Sequence, residues 1–181
     1  MDLTKAREYA IECHASTNHI YDNKHPYSFH LQQVVDIALS FMNLIPEADR
    51  DDVIAACWLH DVIEDCRQTY NDVKAKTNEQ VANIVYAVSN EKGKSRKERA
   101  NEKYYRGIRE TKYATFVKIA DRIANYEYSL NATRGDSMAR KYEKEFEQFN
   151  WEMGLIQYKP MMDYLKEKVE HEMKFRDEIS L

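Results

Sequence analysis

Four side chains in this sequence sit amid apolar helical runs that would not carry them without a reason: His30, His60, Asp61 and Asp121. His60 and Asp61 follow Cys57-Trp58-Leu59, and Asp121 follows Phe116-Val117-Lys118-Ile119-Ala120. A carboxylate buried there must be paired, hydrogen-bonded or bound to a metal, because an uncompensated charge is costly to remove from water. Two carboxylates with two imidazoles suit one divalent ion of mixed nitrogen and oxygen preference. Taken singly each signal is weak, and a lone histidine such as His30 is more often structural than a ligand. Spacing does not decide, since neighbours on a helix diverge by about 100°, so adjacent His60 and Asp61 need not share an ion. Glu64 and Asp65 follow that pair by four residues, one turn along the same face of a continued helix. Lys118 and Arg122 are also one turn apart, as are Asp121 and Asn125.

Three segments then occur in order: Pro26-Tyr27-Ser28-Phe29-His30, Leu59-His60-Asp61-Val62-Ile63-Glu64-Asp65, and Val117 to Asn125 with Lys118, Asp121 and Arg122 inside it. Together they resemble the signature of HD-domain metal-dependent phosphohydrolases. Within that superfamily they are most similar to the hydrolase domains of RelA/SpoT-type alarmone enzymes and their small single-domain relatives. The resemblance implies that His30, His60, Asp61 and Asp121 hold one divalent metal, manganese in the alarmone hydrolases, with positions left for water and a substrate oxygen. It implies a general-base or water-orienting role for Glu64, with Asp65 assisting or holding a neighbour in place. Asn125 is implied as a nucleotide contact. Tyr21 and Lys24, just before Pro26, are placed to line the entrance; Lys118 would orient a phosphate or form a structural pair, beside Arg122. Arg140 and Tyr142 are similar to the Arg/Tyr side of the alarmone pocket.

The implied activity is hydrolysis of a phosphate ester in a small nucleotide, specifically (p)ppGpp 3′-pyrophosphohydrolysis. A 5′-nucleotidase, an enzyme of cyclic or dinucleotides, and a catalytically silent nucleotide-binding protein are the alternatives. The chain departs from the alarmone pattern before Pro26, where Ile20-Tyr21-Asp22-Asn23-Lys24-His25 is short and carries Asp22 in place of positive charge. His25 competes with His30 for the ligand role, and the register of the Pro-Tyr block favours His30. His14, His19 and His171 read as structural or surface residues. Tyr104, Tyr105, Tyr126 and Tyr128 are core aromatics or faces for a base.

The elements that must position these groups are helical. Four glycines and three prolines in 181 residues leave little punctuation for a β-sandwich. Apolar spacing predicts helices over about 3–20, 29–44, 48–59, 70–76, 79–89, 96–109, 113–128, 137–151 and 160–175. Loops are expected at 90–94 and 131–136, and no period-two strand is expected. The expectation is one all-α domain over 1–181 with about eight to ten helices. The net charge of −4 argues against a binder of nucleic-acid duplexes. The stretch Glu91–Lys112 nevertheless carries nine Lys/Arg against four Glu, which suits either a small polyanion or a solvated helix face. Three cysteines without paired spacing fit reduced thiols. No apolar run reaches the roughly 18 residues of a membrane span, so a cytoplasmic protein is expected; a homo-oligomer is left open.

Overall fold

Helical periodicity and scarce glycine are realised as an α-helical bundle. In the computed structural model, which describes residues 1–89, 94–131 and 136–179, the order is α1 (Leu3–Ser16), β1 (Ile20–Tyr21), β2 (His25–Pro26), α2 (Ser28–Ser40), α3 (Arg50–Leu59), α4 (Val62–Asp65), α5 (Tyr70–Lys76) and α6 (Glu79–Val88). Then come α7 (Arg96–Arg99), α8 (Glu102–Glu110), α9 (Ala114–Asn131), α10 (Asp136–Met153) and α11 (Lys159–Ile179). Among the described residues, nine of these helices have seven residues or more. The all-α expectation holds. The loops expected at 90–94 and 131–136 fall largely on residues 90–93 and 132–135, outside the described residues.

Where element boundaries differ from the expectation, local hydrogen bonding gives the reason. Ser16 Oγ donates to the Cys13 carbonyl and Thr17 Oγ1 to that of His14, and Asn18 turns left-handed at φ 52°, so α1 stops before Ile20. The helix expected over 96–109 is broken at Ala100–Asn101, because the Asn101 side chain accepts from Tyr104 N–H and starts α8 afresh. Thr69 and Asp72 form a capping box at the start of α5. The small hairpin β1–β2 was not anticipated. Asp22 and Asn23, at φ 52° and 54°, make its tight turn, closed by Lys24 N–H donating to the Tyr21 carbonyl. Two residues per strand are too few to show a period of two.

The core gathers around α3 and α9. Val53, Ala55, Ala56, Cys57 and Leu59 of α3 are inaccessible, as are Phe116, Val117, Ile119, Ala120 and Ile123 of α9. α9 packs against α2, α3, α6, α8, α10 and α11. Asp49 fixes the start of α3 by accepting from Gln80 on α6 and from Lys112 and Tyr113 just before α9. One carboxylate thus registers three elements that carry or flank the buried polar residues.

Beside this core, His14 and His19 approach through their Nδ1 atoms at 3.1 Å, and both rings stack on Tyr27. Burial pulls His14 down from 6.5 to about 4. The folded protein therefore refuses a proton that the unfolded chain accepts between those values, and stability falls as the pH drops from 6.5 through about 4. We predict that His14→Phe, which keeps a ring against Tyr27, loses less stability across that interval than the unmodified protein, measured as the shift in thermal midpoint; equal losses would show that His14 does not contribute.

Candidate active site

Three segments distant in the chain supply the floor of one cavity. His30 comes from the first turn of α2, His60 and Asp61 from the junction of α3 and α4, and Asp121 from the middle of α9. His30 Nε2 lies 3.2 Å from Asp121 Oδ1 and 3.9 Å from Asp61 Oδ2. His60 Nε2 lies 2.9 Å from Asp61 Oδ2 and 3.7 Å from Asp121 Oδ1. One donor atom each from His30, His60 and Asp121 falls within 4.8 Å of the others. The adjacency of His60 and Asp61 is resolved by the helix break: α3 ends at Leu59, and Asp61 relaxes to φ −104° and ψ −2°, so both side chains reach the same cluster, Asp61 on the cavity wall and His60 buried beside it. Asp65 N–H still donates to the Asp61 carbonyl at 2.8 Å, which keeps the acidic pair Glu64–Asp65 one turn along.

These residues fit a divalent cation. The Cys57 carbonyl, which can only accept, lies 2.9 Å from His60 Nδ1, so that nitrogen carries the proton. His60 Nε2 is buried, faces the carboxylates and has no hydrogen-bond partner; its approach to Asp61 lies off hydrogen-bond geometry. That is the arrangement of an imidazole prepared for a metal, with its far N–H fixed by a backbone carbonyl. Without an ion, burial opposes the charged imidazole, but Asp61 and Asp121 outweigh it and push His60 up to about 9. Burial likewise opposes ionisation of Asp61 and Asp121, yet His60 holds Asp61 low and Lys118 holds Asp121 low. The two carboxylates demand positive charge, as protons or as a cation.

The neighbours of this cluster divide into two groups. Lys118 Nζ donates to Asp121 Oδ2 at 2.9 Å and also lines the cavity described below. Asn125 Nδ2 donates to Asp121 Oδ1 at 2.5 Å while its Oδ1 accepts from Tyr21 at 3.0 Å, and the Tyr21 ring stacks on His30. Arg122 is buried over the rings of Tyr142 and Phe149 and donates to Glu145. Above them opens a cavity of about 570 Å³ whose walls include Glu64, Asp65, Arg122, Asn125 and Tyr142, a volume usual for a small-molecule site. Burial, then Asp61 and Glu64, push Asp65 up to about 7, the range of a proton-transfer group.

Other expected positions fall elsewhere. Lys24 and Arg140 are exposed and do not line this cavity, and Lys141 lines it instead of its neighbour Arg140. The missed signal was spacing: Lys141, Glu145 and Phe149 recur every four residues on α10 and share its inward face. His25 stacks on Phe29 outside the cluster. Of the tyrosines weighed as faces for a base, Tyr104 and Tyr105 line the cavity, whereas Tyr126 donates to Glu143 and Tyr128 to Asp22. Tyr27, inside the Pro-Tyr block, is a further residue of the site. Its hydroxyl donates to Asp61 Oδ2 at 2.5 Å, and burial, then the carboxylate of Asp61, keep it neutral.

A family model described as HD domain matches residues 6–149, a span that contains the whole cluster. The chain belongs to the HD domain family. Its sequence is 28% identical over 145 residues to the guanosine-3′,5′-bis(diphosphate) 3′-pyrophosphohydrolase MESH1 of Danio rerio, covering 80% of this chain and 78% of that protein. A solved structure of a metazoan SpoT orthologue that hydrolyses ppGpp superposes with a TM-score of 0.70 at 20% identity, over 92% of this chain and 94% of the other. That likeness establishes the shared fold. As an HD domain protein, the chain is a metal-dependent phosphohydrolase. No described helix is long and apolar enough to cross a membrane.

The Tyr27–Asp61 bond generates a prediction. Tyr27→Phe removes the hydroxyl and keeps the ring between His14, His19 and the cavity. We expect its affinity for a divalent ion to fall by about 10- to 100-fold, the range for losing a group that orients a ligand, with the thermal midpoint of the metal-free protein nearly unchanged. Calorimetric titration with manganese measures this, and unaltered affinity would remove Tyr27 from the site.

Proposed function

We propose that this HD domain protein hydrolyses a guanosine bis(diphosphate)-type nucleotide, releasing pyrophosphate from the 3′ position, in the cytoplasm and with manganese as its ion. The observation that carries this reading is the convergence of His30, His60 and Asp121 at the floor of a nucleotide-sized cavity, in a chain similar to a 3′-pyrophosphohydrolase. In the proposal His30, His60, Asp61 and Asp121 hold the ion. Bound there, a divalent metal polarises a phosphoryl oxygen and lowers the pKa of water.

The chain's own groups would do the remaining work. Glu64, at the cavity wall, orients the attacking water and takes its proton as the new O–P bond forms. Asp65, poised near 7, can hold that proton and return it to the 3′ oxygen as the old P–O bond breaks. Asn125 and Tyr21 fix Asp121 and the His30 ring, and Asn125 also lines the cavity that would hold the substrate. Tyr105 and Tyr142 offer faces for the base, and Lys141 a charge for phosphate. Lys24 and Arg140 would reach a substrate only from the rim.

The test is a product screen with manganese-loaded protein against guanosine tetraphosphate, deoxynucleoside monophosphates, reduced dinucleotide phosphate and cyclic dinucleotides. Pyrophosphate released from guanosine tetraphosphate is the expected result. Orthophosphate from monophosphates alone would overturn the substrate assignment. His60→Ala and Asp61→Ala should each lower turnover by more than about 100-fold, beyond the effect of losing an outer contact, with helical circular dichroism retained. Full turnover in both variants would refute the mechanism.

A further inference from the structure

Beyond the metal cavity lies a second and larger one, of about 1340 Å³, between α6 and α8. The two share Glu64, Arg99 and Tyr104, so they adjoin at Glu64, whereas Asp65 lines the metal cavity alone. One wall presents Arg99 from the end of α7 with Lys103 and Arg106 from α8, Lys103 having a contact of its own. Glu79 on the opposite wall is engaged by Lys74 at 2.7 Å, and Lys112 at the far end by Asp49 at 3.0 Å. Neither Arg99 nor Arg106 has an ion-pair partner among the described residues. Tyr86 of α6 also lines the space, edge-on to Tyr70 and 62% exposed, so a face of its ring is open.

Gly107 is the second, independent observation. It stands inside α8 and lines the same cavity. Glycine inside a helix lowers stability relative to alanine. Packing does not require it, because a Cβ built at Gly107 would meet nothing within 4 Å. The missing side chain therefore leaves bare helix backbone facing an open space, lined by Arg99, Lys103 and Arg106 and also by Glu64 and Glu110, where a ligand can approach closely.

We propose that the groove between α6 and α8 is a second binding site, for a small phosphorylated ligand bearing a flat ring. Its phosphates meet Arg99, Lys103 and Arg106, its ring lies against Tyr86, and its body rests on the helix at Gly107. Occupancy would be felt at Glu64, which forms part of both walls.

The probe is adenosine 5′-triphosphate, which has no 3′ phosphate to hydrolyse, titrated calorimetrically into metal-free full-length protein. Saturable binding is expected. The double variant Lys103→Glu/Arg106→Glu should weaken it at least tenfold, while Asn125→Ala, in the metal cavity, should leave it unchanged. Gly107→Leu should raise the thermal midpoint yet also weaken binding tenfold, which separates ligand contact from folding if charge reversal harms the fold. No binding to the unmodified protein, unaltered binding in both groove variants, or equal weakening by Asn125→Ala would overturn the proposal. None of these readouts depends on turnover of guanosine tetraphosphate.

Discussion

Two carboxylates and two imidazoles share a water-poor floor, and like charges so placed repel strongly unless positive charge reaches them. Much of the surrounding architecture answers that demand. Lys118 meets one oxygen of Asp121, Asn125 donates to the other, and Tyr27 donates to Asp61. The His60 ring is turned by the Cys57 carbonyl so that its second nitrogen faces inward. Each helper is delivered by the same element as the group it serves, or by a neighbour packed directly on it. The chemistry of the floor therefore constrains α2, the α3–α4 junction and α9 together rather than any one of them.

The spread of the ligand candidates over positions 30 to 121 has a folding side. No local segment holds the cluster, so it exists only when α2, α3 and α9 have docked. Binding of a cation to the folded form alone would then add to stability by mass action. The registering contacts of Asp49 with Gln80, Lys112 and Tyr113 act on this same docking, remote from the floor itself.

How legible all this is in the sequence varies by feature. Helix type and order follow from apolar spacing, because one face of each helix must be buried whatever its partners. The ligand candidates are legible as polar residues in apolar runs, helped by a resemblance spanning three blocks. Helix ends are less so: Ser16, Thr17 and Asn101 act through side-chain hydrogen bonds that periodicity does not register. Tyr27 is invisible as a partner of Asp61 because they are 34 residues apart and meet only in three dimensions. On α10 the resemblance pointed to Arg140, whereas helical phase turns Lys141 inward.

The buried pair of Lys118 with Asp121 has a consequence for how the protein handles an empty site. An ammonium carried on the same helix neutralises part of the floor at all times, independent of supply from outside. Chelation should then strip the ion without unravelling the bundle, and reloading would begin from a nearly finished shape. Such a chain can wait, folded and inactive, until its metal returns.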